Sequence, residues 1–289
     1  VWYPDERLHD LAHGELTPAD QLELQRLKEQ IHQESGFFCA GYKERCLRRR
    51  LAIRMRARGV HRYSEYGHLL RIDPVEYERL LNTLTINVSK FFRNLEVWNE
   101  VEREIVPALF RLPLPEVRIW SAGSAGGEEA YSLAILLREY ARLHGLERRL
   151  RRFKILGTDI DRGVLEVAQR GEYGEIAFGE IPDRYLRRWF TPTDRPGNYH
   201  RLRDEIREMV DFEPLDLLTD PFPAGQHLIF CRNVTIYFER EVQEALLWRL
   251  RTSLAPGGYL VLGKVETITG ELAREFRSIN HRERVYQCR

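Results

Sequence analysis

The stretch Val117-Arg118-Ile119-Trp120-Ser121-Ala122-Gly123-Ser124-Ala125-Gly126-Gly127-Glu128-Glu129 decides how this chain is read. A short strand pattern runs straight into a glycine-rich turn, and a helical pattern follows from Glu128 to about Leu143. Such a turn lets a bound molecule approach the backbone, because glycine has no β-carbon in the way. Downstream the alternation continues: a strand at Phe153 to Thr158, a helix at Asp161 to Arg170 closed by Gly171, and a strand at His227 to Cys231. A helix from Glu239 to about Ser253 then leads through Pro256-Gly257-Gly258 to a strand at Tyr259 to Leu262. Strands and helices alternating at these lengths predict a mostly parallel sheet with helices on both faces. Arg284 to Gln287 reads as an added antiparallel edge strand. Between them, Trp189 to Phe212 breaks the alternation. There Tyr199 to Arg203 and Ile206 to Phe212 read as a small hairpin flanking Asp204-Glu205.

Upstream of Phe110 every signal is helical. Thr17-Pro18 reads as an N-cap with the favoured first-turn proline, Leu24, Leu27 and Ile31 repeat at helical spacing, and Ser35-Gly36 stops the helix. Tyr42 to Arg58 carries Leu47, Leu51 and Met55 on one stripe and closes at Gly59. Asp73-Pro74-Val75-Glu76 opens a further helix as a capping box, and another begins after Asn94. The first 16 residues have no strong local signal.

The 289 residues are 43% hydrophobic, enough for a full core. Lys and Arg total 45 against 44 Asp and Glu, so net charge says nothing about partners. Its distribution says more: Phe37 to Arg62 holds Lys43, Arg45, Arg48, Arg49, Arg50, Arg54, Arg56, Arg58 and Arg62 against Glu44 alone, which suggests an acidic partner surface. On the helix these fall into two stripes, Arg45/Arg49/Arg56 and Lys43/Arg50/Arg54; a solvated face is the plainer reading. The block lacks interleaved aromatics, so a nucleic-acid partner is not expected. Four cysteines without ligand spacing argue against a metal centre and a disulfide framework, and no apolar run reaches membrane-helix length. A cytoplasmic protein is the expectation.

The turn is not the G-x-G-x-x-G of dinucleotide sites, and it leads into two carboxylates. A pyrophosphate on that helix N-terminus would meet like charge, which disfavours NAD or FAD. A phosphate-free cofactor with a cationic end suits the position, and S-adenosylmethionine carries both a sulfonium and an amino group. The two glutamates read equally as simple complements of the helix dipole. Asp159, at the end of the second strand, sits where nucleotide-binding sheets place a ribose-binding carboxylate, and Asp161 reads as the next helix's N-cap.

Four motifs together resemble one family. Asn87-Val88-Ser89-Lys90-Phe91-Phe92-Arg93 is similar to the N-[VL]-T-x-F-F-R of CheR-type chemoreceptor methyltransferases. Ser121 to Ser132 resembles its S-A-G-C-S-T-G-E-E-P-Y-S, Thr158-Asp159-Ile160-Asp161 its T-D-I-D, and Phe230 to Phe238 its F-C-R-N-V-x-I-Y-F. The resemblance runs from about Leu27 to the C-terminus. It implies a Rossmann-like S-adenosylmethionine-dependent methyltransferase sheet with an N-terminal all-helical domain and a small inserted β-subdomain. The implied organisation is an extension at 1–16, a receptor-docking helical domain at 17–93, and a methyltransferase domain at 94–289 with a linker helix at 94–110. The β-subdomain lies at 189–212.

The resemblance also implies roles. Asn87, Ser89, Arg93, Gly123, Glu128, Asp159, Arg232 and Asn233 would hold the cofactor, with Asp216 and Leu217 (usually Asn-Leu) at the adenine. Arg93 and Tyr237 would be catalytic, and Arg45, Arg49 and Arg56 would meet the receptor. On the residues alone, Arg93 reads as readily as a partner of Glu96, and Tyr237 as core. The implied reaction methylates glutamate carboxylates of chemoreceptors, giving a methyl ester and S-adenosylhomocysteine. The protein would work as a monomer that reaches the membrane only through its receptor. Alternatives are a cofactor-sensing signalling adaptor or a methyltransferase acting on another protein carboxylate.

The chain departs from the pattern in places. Ser89 replaces Thr, and Gly126 and Ala130 replace Thr and Pro, which should loosen the loop. Gly263-Lys264-Val265-Glu266 stands for G-H-S-E, leaving the His-Ser pair without counterparts. Thr191 to Gly197 offers one glycine where members that bind a receptor's C-terminal pentapeptide carry several, so a pentapeptide-independent enzyme is expected.

Overall fold

The computed structural model describes residues 6–85 and 89–289. The chain divides into two compact units, Val1–Ile86 with Tyr237–Gln243, and Asn87–Ile236 with Glu244–Arg289.

The first unit is helical: α1 (Glu6–His13), α2 (Pro18–Ser35), α3 (Glu44–Arg58), α4 (Tyr63–Ile72) and α5 (Pro74–Leu84). Its boundaries follow local chemistry. Thr17 Oγ1 accepts the Asp20 N–H at the start of α2, and Gly36 and Gly59 close α2 and α3 with φ of 76° and 67°. Asp73 caps α5 by accepting the Glu76 N–H at 3.0 Å. The capping box is only half formed, however. The Glu76 side chain is fully buried and receives Arg54 at 3.0 and 2.5 Å and the Tyr66 hydroxyl at 2.7 Å. The expected stripes Leu24/Leu27/Ile31 and Leu47/Leu51/Met55 are buried. Helix α1, unsignalled in the sequence, is too short to persist alone. It buries Leu8, Leu11 and Ala12, and Arg48 donates to the carbonyls of Leu11 (2.7 Å) and Gly14 (2.6 Å) at its end.

The second unit opens with α6 (Leu95–Glu100), which passes through a π turn at Val101–Ile105 into α7 (Val106–Arg111). Pro107, without an N–H, sits in the first turn of α7. The sheet strands β1 (Val117–Ala122) and β2 (Phe153–Asp159) flank α8 (Glu128–His144), and α9 (Arg162–Arg170) follows. After β3 (Glu172–Tyr173), α10 (Asp183–Trp189), β4 (Phe190–Pro192), β5 (His200–Leu202) and α11 (Asp204–Arg207), the chain re-enters the sheet as β6 (Val210–Pro214). It ends with β7 (Gln226–Cys231), α12 (Arg240–Ser253), β8 (Leu254–Leu262), β9 (Phe276–Asn280) and β10 (Val285–Cys288).

The seven-stranded order is β6-β2-β1-β7-β8-β10-β9, parallel from β6 to β8 and antiparallel where β10 joins β8 and β9. The chain builds outward from β1 through β2 to β6, then returns to the other side of β1 with β7. That reversal beside β1 is where open α/β sheets bind ligands, at the C-terminal ends of the strands.

Two expectations change. The hairpin does not flank Asp204-Glu205: β5 pairs with β4 and β3 in a separate three-stranded sheet, and 204–207 is the helical turn α11. Val210–Pro214 instead joins the main sheet alongside β2, from Ile155↔Val210 to Asp159↔Pro214. A parallel partner so distant in sequence leaves no local trace. The Arg284 to Gln287 strand is not an edge, since β9 covers it. Phe91 and Phe92 lie in the core cluster of the second unit.

Candidate active site

Gly123 turns the chain at the end of β1 with φ 76°, and its N–H and that of Ser124 both donate to the Thr158 carbonyl at 2.8 Å. A β-carbon there would lie 2.5 Å from Val234 Cγ2, so only glycine fits. Gly127 (φ 86°) starts α8, where a β-carbon would meet Ala168 and Phe212 at 2.8 Å. Between them Ala125 holds φ 48°, a left-handed conformation fixed by its N–H on Asp159 Oδ2 at 2.9 Å. The Tyr173 hydroxyl donates to the Gly126 carbonyl at 2.7 Å, and the Gly127 N–H to the Ser124 carbonyl at 2.9 Å. The loop expected to loosen at Gly126 and Ala130 is thus held by five hydrogen bonds. Asp159 also accepts the Asp161 N–H at 3.0 Å, and burial pushes its carboxyl above the usual range. Each oxygen retains a second lone pair for a ribose hydroxyl. Asp161 caps α9 as expected, accepting from Gly163 and Val164.

The two consecutive glutamates part ways. Glu129 turns into the sheet, where it accepts the Ser121 hydroxyl at 2.9 Å and faces Arg232 Nη1 at 3.4 Å. Glu128 is 7% exposed, and its Oε2 has no hydrogen-bond partner among the described residues. Burial pushes its carboxyl up to about 7. A buried acceptor without a donor, next to a tight glycine loop, fits an incoming ammonium group such as that of S-adenosylmethionine. Helix-dipole complementation alone does not require such burial.

The Phe91–Asn94 turn is held from several sides. Phe92 and Asn94 both adopt left-handed φ (55° and 62°), costly for non-glycine residues unless the surroundings fix them. The Phe91 N–H donates to the Ala177 carbonyl at 2.9 Å, Phe92 N–H to Ser132 Oγ at 3.0 Å, and Asn94 N–H to Glu180 Oε2 at 2.6 Å. The Arg93 carbonyl accepts from Trp98 Nε1 at 3.0 Å and Arg232 Nη2 at 2.9 Å, and Arg232 also reaches Asn94 Oδ1 at 3.0 Å. Arg232 is thus drawn inward: its side chain is buried under the turn, linking Glu129 to the backbone of Arg93. Glu96 accepts from Lys264 at 3.2 Å. Ser89 is half-buried just before the turn, and Asn87 lies outside the described residues.

Comparison with known proteins matches residues 87–285 to the model of the CheR methyltransferase SAM binding domain, and 22–85 to that of the CheR methyltransferase all-alpha domain. The chain belongs to the CheR methyltransferase family. It is accordingly an S-adenosylmethionine-dependent methyltransferase. It is 33% identical, over 88% of its length and 86% of the relative's, to the chemotaxis protein methyltransferase of Escherichia coli. It is 32% identical to that of Listeria innocua, covering 82% of this chain and 87% of the relative. It is also 33% identical, over 98% of its length, to an uncharacterized 104.1 kDa protein of Rhodobacter capsulatus, of which it spans 29%.

The CheR family's G-H-S-E motif reads Gly263-Lys264-Val265-Glu266 here, and the structure uses its last residue. Glu266 Oε1 accepts the N–H groups of Val234 (3.0 Å) and Thr235 (2.8 Å) and the Thr235 hydroxyl (2.9 Å); Oε2 accepts from Asn233 (2.9 Å) and Gly263 (2.6 Å). Five donors on one buried carboxylate fix the turn after β7, where Asn233 holds φ 60°. Nothing local marks Glu266 in the sequence, because four of its five donors come from the distant turn after β7. Val265 itself is 75% exposed.

The 216–220 turn follows β6. The Leu215 N–H donates to the Asp159 carbonyl at 3.0 Å, which brings Asp216 and Leu217 next to the end of β2. Asp216 Oδ1 accepts the Leu218 N–H at 2.8 Å, and Leu217 is buried. Arg249 fixes the turn by donating to the Leu217 carbonyl at 2.6 Å and to that of Asp220.

In the helical unit of this CheR-family chain, the basic run is sorted by the fold. Arg45 and Arg49 are exposed and Arg56 is half-buried. Two members of the second stripe leave the surface: Arg54 binds buried Glu76, and Arg50 is buried against Leu84 and Tyr237. Arg48 closes α1, Arg58 pairs with Asp73 at 2.9 Å, and Arg62 pairs with Glu23. Tyr237 belongs to this unit, its carbonyl accepting the Lys43 N–H at 2.8 Å.

Proposed function

We propose that the protein methylates glutamate side-chain carboxylates of chemoreceptor cytoplasmic domains, releasing S-adenosylhomocysteine. The observation that carries the cofactor half of this reading is Glu128, a buried carboxylate with an oxygen awaiting a donor beside the glycine loop. The receptor half is supported by the relatives named chemotaxis protein methyltransferase. When bound, S-adenosylmethionine supplies a methyl group already activated on a sulfonium. Glu128 receives the amino end, Asp159 the ribose, and Asp216 and Leu217 the adenine. Ser89, Gly123, Asn233 and Asn87 complete the site, with Arg232 supporting it from beneath.

The substrate glutamate, with a reference value near ~4.3, is ionised at neutral pH and needs no general base. With the cofactor bound, transfer of its methyl group to one of these oxygens would leave the carbon–sulfur bonding pair on sulfur. The protein's task is orientation, which can supply roughly 7–11 kcal/mol of a barrier. Arg93 holds the incoming carboxylate by directed hydrogen bonds and Tyr237 steers it through its hydroxyl. The exposed Arg45 and Arg49, with Arg56, meet a glutamate-rich receptor helix. The enzyme works in the cytosol as a monomer, reaching the membrane through its receptor. In keeping with this, among the described residues no helix is long and apolar enough to cross a membrane.

The test is incubation with methyl-labelled cofactor and a receptor cytoplasmic fragment, followed by base treatment. Base-labile methanol release that is lost in Arg93→Ala is expected. Cofactor binding without transfer to any receptor fragment would overturn the proposal in favour of a sensing adaptor.

A further inference from the structure

Arg50 belongs to the basic run of α3, yet the fold withdraws it from solvent, leaving it 7% exposed. One side of its guanidinium donates to the carbonyl of Leu84, the last residue of α5. The guanidinium carbon also lies 5.2 Å from the centroid of the Tyr237 ring. That is inside the ~6 Å over which a ring face attracts a cation, an attraction that grows once water is excluded. Phe37, Tyr42, Leu47 and Leu84 wall the recess around the pair, which leaves no room for a water molecule. Burial pulls the guanidinium below its ordinary value, while nearby Tyr237 acts in the opposite direction. An arginine remains charged even so.

The backbone around Tyr237 is held separately. Lys43 N–H donates to its carbonyl, the Glu239 N–H donates to the Gly41 carbonyl at 3.0 Å, and Tyr42 bridges Phe238 in antiparallel fashion. These ties are made by the main chain rather than by the ring. A buried charge has to be compensated. Here the compensation comes from a backbone carbonyl and a ring face.

We propose that Arg50 is a positioning residue that sets the orientation of the Tyr237 ring through a desolvated cation–π contact, and is not part of the receptor-docking surface. The inference rests on the reading of Tyr237 as a residue that meets the substrate carboxylate. Lysine would retain the charge but not the planar fork that reaches the Leu84 carbonyl and the ring together.

A double-mutant cycle tests it, using Arg50→Gln, Tyr237→Leu and the pair, with a receptor fragment as substrate. Arg50→Gln should lower kcat on the order of tenfold, the scale of a desolvated cation–π contact. Receptor KM and S-adenosylhomocysteine affinity should stay within about twofold, a change expected when neither ligand loses a contact. In the Tyr237→Leu background the same substitution should cause no further loss. An equal loss in that background, or a raised receptor KM that depends on salt, would overturn the proposal and make Arg50 a substrate contact. If Arg50→Gln does not fold, Arg50→Lys replaces it with the same expectations. A second readout needs no receptor, so it stands even if receptor methylation fails. In protein labelled with 3-fluorotyrosine, the fluorine resonance lost in Tyr237→Phe should shift or broaden in Arg50→Gln. An unmoved resonance would overturn the proposal.

Discussion

Glu128 and Glu129 stand side by side at the start of α8 with opposite surroundings, and burial rather than sequence separates them. Glu129 has Ser121 and Arg232; Glu128 has an oxygen with no donor. A carboxyl ionising near 7 in the fold and near 4.5 in the open chain holds its proton more tightly when native. That preference stabilises the ligand-free fold fully below about 4.5 and is lost as pH rises through about 7, a swing on the order of 3 kcal/mol. Glu128→Gln should therefore raise the ligand-free melting temperature at pH 8 and leave it nearly unchanged near pH 4.5. The same variant should bind S-adenosylhomocysteine more weakly at pH 8. Wild-type binding near pH 6 should release a proton, read by calorimetry in buffers of different ionisation enthalpy, because the carboxyl must ionise to meet an ammonium. Equal affinity in both proteins would remove Glu128 from the site. Asp159→Ala should weaken binding by about 1–3 kcal/mol, losing both a ribose acceptor and the anchor of Ala125. Calorimetry showing unchanged affinity would dismiss that assignment.

The turn following β7 illustrates how one element is shaped by another far along the chain. Four backbone N–H groups and a hydroxyl converge on Glu266, and Val234 in turn packs where Gly123 leaves space. Removing the carboxylate strands several of these donors in a buried place, each costing about 1–3 kcal/mol. Glu266→Ala should thus lose at least roughly 3 kcal/mol in denaturant melts and also weaken cofactor binding through Asn233. Restoring the family's residues in a Lys264→His, Val265→Ser double variant should change stability by less than about 1 kcal/mol, since the Lys264 side chain stays half-exposed in its ion pairs with Glu96 and Glu283. A large loss of affinity in that double variant would show that the two middle residues matter after all. The Phe91–Asn94 turn follows the same logic: its motif is legible, but the donors and acceptors that hold its two left-handed residues come from segments around Ser132, Ala177, Glu180 and Arg232.

Taken as a whole, the molecule ties Arg48, Arg50, Arg54, Arg58 and Arg62 into contacts within the helical unit and leaves a smaller charged face. If Arg45 and Arg49 dock the receptor, reversing both to Glu should raise receptor KM with cofactor affinity unchanged. The wild-type rate should fall with salt, because exposed charges are screened over about 8–10 Å. Kinetics insensitive to salt would mark the stripe as a solvated face. Arg54 behaves oppositely, since Glu76→Ala would leave its guanidinium partly buried without its carboxylate and should cost about 3–5 kcal/mol in thermal or denaturant melts. A loss below 1 kcal/mol would show that the pair is dispensable. Sequence alone determined what depends on near neighbours: the α2, α3 and α5 caps, the helix stripes, the strand–turn–helix at Gly123, and the four motifs that name the family. It could not show that Val210–Pro214 pairs with β2, that β9 covers β10, or that Glu266 organises Asn233. Nor could it show that Arg50 and Arg54 leave the surface while Arg45 and Arg49 remain. The physical reason is the range of the forces: propensity and capping act within a few residues, whereas strand pairing, burial of charge and the satisfaction of buried donors depend on whichever distant segment the packed chain brings alongside.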